Sequence, residues 1–250
     1  MKKFDWTIWI GLVVGLTAIA AGAWFEGITL GFLWHPTAAL IVFGGTLGAV
    51  IVRRGVSGVS GAVSAVWGLR HRDDDTNAHS MELAKIAWLS RNAQKNGVKT
   101  YESFAEKSTD PLVAQGLILL ADNVKLEEVE QALTRRLEWE DQDGMQDSHT
   151  LEAAGGFAPT FGILGAVIGL IGVLRVLDKP ELLGVGIATA FVATIYGIGI
   201  ANLFFFPLAT RLKSRHELLM QRREEVAAVI LALGSKETPR AIINKFNLRK

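Results

Sequence analysis

Residues 155–174 read GGFAPTFGILGAVIGLIGVL, an uncharged apolar run that carries six glycines and a proline. In water each mid-helix glycine costs about 1 kcal/mol relative to alanine and a proline about 3, so this segment makes a poor soluble helix. In lipid the backbone has no other hydrogen-bond partner. A helix there persists through glycine, and small residues let neighbouring helices approach closely. Ala158, Gly162, Gly165, Ala166, Gly169 and Gly172 recur at intervals of three and four. They make a smooth stripe down one face, which is expected to be buried against protein.

About 20 apolar residues are needed to cross the hydrocarbon, and four segments reach that length: 6–25, 30–52, 156–177 and 184–208. None holds an Asp, Glu, Lys or Arg before its ends, except Arg175 near the end of the third. The net charge of +1 marks neither a nucleic-acid binder nor an acidic tail, but its distribution orients the chain. Lys2 and Lys3 precede the first span, Arg53 and Arg54 follow the second, and Arg211, Lys213 and Arg215 follow the fourth. By the positive-inside rule these ends and both termini are cytoplasmic. The expected fold is an all-α integral membrane protein with a large helical cytoplasmic insert between spans two and three. Its segments are a transmembrane hairpin over 1–54, the insert over 55–154, a second hairpin over 155–210 and cytoplasmic C-terminal helices over 211–250. A signal peptide cleaved near Ala18-Ile19-Ala20 would destroy the first hairpin, and the absence of cysteine excludes disulfides and thiolate metal sites.

Span two carries Gly44, Gly45 and Gly48 on a close-packing face, with Thr46 placed to bond back to its own helix. After Arg54, Val56, Val59, Val63 and Val66 at helical spacing read as an amphipathic helix at the membrane surface. The run HRDDDTNAH at 71–79 reads as a solvated loop capping the next helix rather than a metal site. Leu83, Ile86, Ala87 and Leu89 make one helical face that ends at Asn96-Gly97. A short helix around 100–108 follows, then one opening at Asp110-Pro111. A charged helix from about 125 carries Leu126, Val129, Leu133 and Leu137 and is expected to run into span three. The tail holds an amphipathic helix broken at Gly234 and a short one after Pro239. No phosphate loop, nucleophile elbow or zinc spacing occurs, so the chain is not read as an enzyme or as powered by nucleotide hydrolysis.

Span four carries a second stripe: Gly186, Ala190, Ala193 or Thr194, Gly197 and Ala201. Two smooth faces suggest a bundle lining something narrow. Its polar exceptions are Thr189, Thr194, Tyr196 and Asn202, with Thr160 beside Pro159. Ion-moving proteins usually place an ionisable group within the membrane, and the mid-depth of these spans holds none. If the chain belongs to an ion-driven machine, the titrating carboxylate must therefore come from a partner helix packed on the small-residue faces.

HPTAALIVFGGTLGA, KNGVKTYES, TDPLVAQGLILLAD, APTFGILGAVIGLI and NLFFFPLATRLKSR, in that order and spacing, resemble the MotA/PomA flagellar stator subunits, relatives of the ExbB and TolQ energisers. The resemblance covers nearly the whole chain. It implies a stator that turns proton or sodium flow into torque on the rotor protein FliG. Five copies would surround two copies of a MotB/PomB-type B subunit, which supplies the ion-binding aspartate. No further cofactor is implied.

The resemblance also places site residues. The two transmembrane prolines that couple ion binding to conformational change match Pro159 and Pro207, with Thr160, Ala166, Thr189 and Thr194 along the same pathway. Sodium-driven members carry threonine where this chain has Ala166, and alanine offers a desolvated sodium ion no oxygen; the expected ion is H+, with Na+ as the alternative. Gly162, Gly165, Gly169 and Gly197 are the expected helix-packing residues. At the rotor interface the family glutamate matches Glu102. The family arginine falls on Gln94, with Lys95 and Arg91 as nearby substitutes. An ExbB/TolQ-like energiser is the alternative function, against which the hairpin at 6–52 argues. A secondary transporter would show internal repeats, and none is visible.

Overall fold

The computed structural model describes residues 3–4, 6–27, 30–72 and 76–246. Eleven α-helices follow one another among them: α1 (Thr7–Phe25), α2 (Pro36–Ala39), α3 (Gly45–Gly68), α4 (Thr76–Asn96), α5 (Lys99–Ala105), α6 (Pro111–Ala121), α7 (Leu126–Gly144), α8 (Gln146–Leu174), α9 (Pro180–Ile200), α10 (Phe206–Gly234) and α11 (Pro239–Lys245). Two π-helical turns, Leu40–Gly44 and Ala201–Phe205, join α2 to α3 and α9 to α10. The extended structure is a two-residue antiparallel pairing of Lys3–Phe4 with His71–Arg72. Four stretches of helix are long and apolar enough to cross a membrane: Thr7–Phe25, Pro36–Gly68, Leu126–Leu174 and Leu183–Gly234. The chain is an all-helical membrane protein with four spans.

Prolines set two of the span starts. His35 is extended (φ −130°, ψ 98°) and Pro36 occupies the first turn of α2, because the ring of a proline keeps its predecessor out of helical space. Span two therefore starts at Pro36 rather than at 30, and Leu30–Leu33 is a separate 3-10 turn. In the same way Pro180 opens α9 after Lys179, ahead of the expected 184. At the far end of span two Gly55 takes φ +71°, a conformation that costs a side-chain-bearing residue heavily. It breaks α3 directly after Arg53-Arg54.

The chain divides into two compact units, one of residues 1–72 with 145–214, the other of 73–144 with 215–250. In the first, helices run on past the arginines and continue to pack, so 55–72 and 145–154 group with the spans. Arg54 donates to the Thr150 hydroxyl (3.1 Å) and the Gln146 carbonyl (3.0 Å), and buried Ser148 donates to the Ala209 carbonyl at 3.0 Å. The valine stripe after Arg54 packs only in part: Val59 and Val66 are half-buried, Val66 against Ala62, Leu151 and Ala209. Val56 and Val63 stay exposed, while Ala62 and Leu69 are buried, because small side chains admit α8 close enough that a Cβ on Gly61 would lie 2.8 Å from Asp147.

In the second unit, Leu83, Ile86, Ala87 and Leu89 of α4, Leu112, Leu117 and Leu120 of α6, Val129 and Leu133 of α7, Val226, Val229, Ile230 and Leu233 of α10 and Ile242 of α11 form one core. Each fully buried Leu or Ile stabilises by about 1.5–3 kcal/mol. Leu126 and Leu137 lie at its margin. Gly116 of α6 lets that helix approach α10 closely: a Cβ there would lie 2.8 Å from Ile230. Asp110 caps α6 by accepting from the Leu112 amide at 2.9 Å, and burial raises the Tyr101 phenol above its usual range. The triad Asp73–Asp75 lies outside the described residues. His79 pairs with Glu225 (2.8 Å), and no group of three metal-ligating side chains occurs among the described residues.

Candidate functional site

The seam between α8 and α9 holds most of the residues that the sequence singles out. Gly162, Gly165 and Gly169 are buried on α8. A Cβ at Gly162 would lie 2.9 Å from the Ala193 carbonyl oxygen and 3.3 Å from Gly197 Cα. At Gly169 it would meet the Gly186 carbonyl at 2.8 Å, and at Gly165 the Ala193 methyl at 2.7 Å. From the other side, a Cβ at Gly197 would fall 2.5 Å from the Ala158 carbonyl and 3.1 Å from Pro159 Cα. The two backbones touch along this line, as close packing of small residues in lipid requires. Gly172 has open space around it, so the stripe ends functionally at Gly169.

Pro159 sits inside unbroken α8, half-buried, and leaves the carbonyl one turn back without its amide donor. Thr160 is exposed and donates to the Phe157 carbonyl at 2.6 Å. Thr194 donates to Ala190 (3.2 Å) and Thr189 to Val185 (2.9 Å), so each hydroxyl spends its proton on its own helix and offers only lone pairs elsewhere. Ala166 is half-buried on α8. Pro207 stands apart from Pro159, exposed near the start of α10, directly after the π turn Ala201–Phe205. The wider turn absorbs the clash that a proline ring makes with the carbonyl four residues earlier. The site thus has a rigid glycine-lined part at Pro159 and a locally loosened backbone at Pro207.

Span two contributes polar groups whose pairing the sequence does not show. The His35 ring lies 3.2 Å from the Thr189 hydroxyl, its backbone amide donates to the Tyr196 hydroxyl at 3.2 Å, and that hydroxyl donates to the Leu33 carbonyl. Tyr196 also stacks on Phe43, centroids 5.8 Å apart. The aromatic run at 34–36 is the one available signal, and it reads equally well as an interfacial anchor. Thr46 does not bond back to its helix as expected: its buried hydroxyl has no partner among the described residues, at the point where the π turn Leu40–Gly44 gives way to α3.

The rotor candidates lie in the other unit. Arg91 on α4 is exposed and stacks over Trp88 at 5.5 Å. Glu102 is exposed in the first turn of α5, where the helix dipole favours a carboxylate by about 0.3–1 kcal/mol. Lys95 lies on the last turn of α4, and its side chain is outside the described set, as is that of Gln94. Glu102→Lys combined with Lys95→Glu is expected to slow swimming severalfold while leaving the thermal midpoint nearly unchanged, since exposed charges contribute about 0–1 kcal/mol each. Unaltered swimming would remove both residues from the interface.

Comparison with known proteins places this geometry. The family model described as the MotA/TolQ/ExbB proton channel family matches residues 104–225, and that described as Motility protein A N-terminal matches residues 9–97. Motility protein A of Bacillus subtilis is 28% identical over 246 residues, 96% of this chain and 89% of its own length. The chemotaxis protein PomA of Vibrio alginolyticus is 28% identical over 234 residues, 93% of this chain and 91% of its own. The fold also matches a chain of the flagellar MotAB stator complex from Bacillus subtilis, with a TM-score of 0.80, 26% identity and coverage of 96% and 94%. With two family models spanning the first hairpin, the insert and the glycine seam, and relatives aligned over nearly its whole length, the chain belongs to the MotA/PomA family of flagellar stator A subunits.

Proposed function

We propose that this chain, with a B-type subunit, forms a proton channel in the bacterial inner membrane that drives the flagellar rotor. One observation carries the reading. Two spans meet backbone to backbone along a glycine seam, yet the middle of every span is free of Asp, Glu, Lys and Arg. Such a channel needs an ion-binding carboxylate from outside the chain, and the B subunit's aspartate is that group. The long run of exposed apolar side chains on α1, from Trp9 to Ile19, suits lipid and neighbouring copies in a ring of five around two B subunits. Both termini and the insert face the cytoplasm, where Arg91, Lys95 and Glu102 meet the rotor protein FliG. Pro159 and Pro207 couple protonation to movement, one on the rigid seam and one on the loosened turn.

Ala166 supports protons as the ion. A bare sodium ion needs several oxygens, whereas Thr189 and Thr194 supply one each and already donate to their own helices. The test is swimming speed in a stator-deleted strain that expresses this chain with its B subunit. Speed is expected to persist when sodium is withdrawn and to fall to zero with a protonophore. Loss on sodium withdrawal alone would overturn the ion assignment.

A further inference from the structure

His35 stands where the end of span two away from Arg53-Arg54 meets α9, and its donors and acceptors do not balance. Thr189 has one hydroxyl proton and gives it to the Val185 carbonyl at 2.9 Å. Toward the His35 Nε2, 3.2 Å away, the Thr189 oxygen can then only accept, so Nε2 carries the ring's hydrogen. Nδ1 is left a bare lone pair, buried and without a hydrogen-bond partner among the described residues. The opposite tautomer is worse on two counts: it strands an N–H at Nδ1 and takes the Thr189 proton from Val185. A buried unmet acceptor on a neutral ring is a modest cost, but a buried unmet donor on a cation is a large one.

The geometry points to a proton-linked latch: neutral His35 closes the seam between α2 and α9, and a proton taken at Nδ1 opens it. The balance is simple. A proton from the solvent adds to the Nδ1 lone pair, Nε2 keeps its own hydrogen, and the ring becomes an imidazolium that has an acceptor for only one of its two N–H groups. The closed arrangement offers nothing to the other, so the charged ring favours states in which water reaches it. Neighbouring charges do not relieve this. The turn Leu30–Leu33, α2 and the turn Leu40–Gly44 contain no ionisable side chain. On α9 there are Tyr196, already engaged with Leu33, and Glu181 in the first turn. Glu26 after α1, Arg175 at the end of α8, and Asp178 and Lys179 before α9 complete the charges at this end. None of these side chains except Tyr196 bonds to His35, and Tyr196 bonds to its backbone amide. Because the latch bonds Thr189 itself, beside a seam closed by Ala38, Val42, Val192 and Ala193, opening it alters the surroundings of a pathway hydroxyl. The inference stands whichever ion is carried.

The chain has no cysteine, so single replacements report cleanly. Ala38 is fully buried in the seam and its neighbour Thr37 is exposed. In the intact stator complex in membranes, the labelling rate of Ala38→Cys by a maleimide is divided by that of Thr37→Cys, which cancels the reagent's own pH dependence. The ratio is expected to rise by about fivefold or more as the pH is lowered from about 8 to about 5. It should stay flat in His35→Gln, whose amide can still donate to Thr189 but does not titrate. No rise in the native-histidine protein, or an equal rise in His35→Gln, overturns the latch. A second measurement covers a failed Ala38→Cys: nitrogen NMR of imidazole-labelled complex, with the His35 signal assigned by difference from His35→Gln. A bare Nδ1 at high pH, with loss of the Thr189 contact once the ring is doubly protonated, supports the proposal. An Nδ1–H at high pH, or an imidazolium with that contact intact, refutes it.

Discussion

Replacing Gly197 by valine is expected to abolish motility and to prevent a stable stator complex from being recovered, whereas Gly172→Ala swims at the native speed. Both residues belong to small-residue stripes on adjacent helices, but their surroundings differ in kind. A Cβ at 197 would lie 2.5 Å from the Ala158 carbonyl oxygen and 3.1 Å from both Gly162 Cα and Pro159 Cα. These are backbone atoms, which no rotamer change can move aside, so α8 and α9 must separate. Overpacking a close-fitted interior costs about 1–3 kcal/mol and more where backbone must shift, and here the packing that would have to give way extends from Pro159 to Gly169. Nothing lies within 4 Å of a Cβ at 172, and alanine is the better helix former. Swimming in a stator-deleted strain and recovery of the complex after detergent extraction read out the pair. Normal swimming by Gly197→Val would refute the seam as the structural basis of the site.

The second large effect lies in the other unit. Arg223 on α10 donates to Glu140 of α7 through Nε and Nη2, each at 2.9 Å, and to Asp110, the cap of α6, through Nη1. One guanidinium thereby ties three helices, with all three side chains less than one-fifth exposed. Arg223→Ala leaves Asp110 without its cation and Glu140 with Arg136 alone, 2.7 Å away, and is expected to destabilise this unit by about 2–3 kcal/mol, the cost of breaking a mostly buried pair with some allowance for solvent and for the remaining arginine. Arg223→Lys falls between, because an ammonium cannot serve both carboxylates with a planar fork. Burial alone would lower the Arg223 pKa, but its bonds and attraction to Asp110 and Glu140 more than offset this, and it is raised. A raised basic group contributes fully below its unfolded value and loses that contribution only as pH climbs through the folded one. The deficit of Arg223→Ala should therefore be the same at about pH 7 and pH 9. Thermal unfolding of the complex, followed by hydrogen exchange across α4, α6 and α7, measures it. A native midpoint for Arg223→Ala would show that the network does not hold the unit together.

How legible these features are depends on how far apart their parts lie in the chain. The spans, the helix start at Pro111 and the stops near Gly97 and Gly234 rest on backbone restrictions of one or two residues, and the same proline rule moves the starts of spans two and four to Pro36 and Pro180, which a count of apolar residues misplaces. The glycine stripes are nearly as local, since a helix brings every third or fourth residue to one face. The valine stripe after Arg54 shows the limit of this: periodicity reveals a face but not whether lipid or protein covers it, and here Val66 packs on protein while Val56 and Val63 stay exposed. Arg223 gives no signal at all, because its partners lie 113 and 83 residues away. The latch at His35 is equally silent, with Thr189 at a separation of 154.

The sequence by itself determined the membrane class, the four spans, the smoothness of two helix faces and the lack of a charge between them, all consequences of local backbone preference and of the cost of burying charge in lipid. Only the tertiary structure decided that Gly162 meets Gly197, that His35 closes on Thr189 and that one arginine joins α6, α7 and α10. Those pairings arise when distant segments pack, where fit and hydrogen-bond balance, rather than spacing along the chain, select the partner.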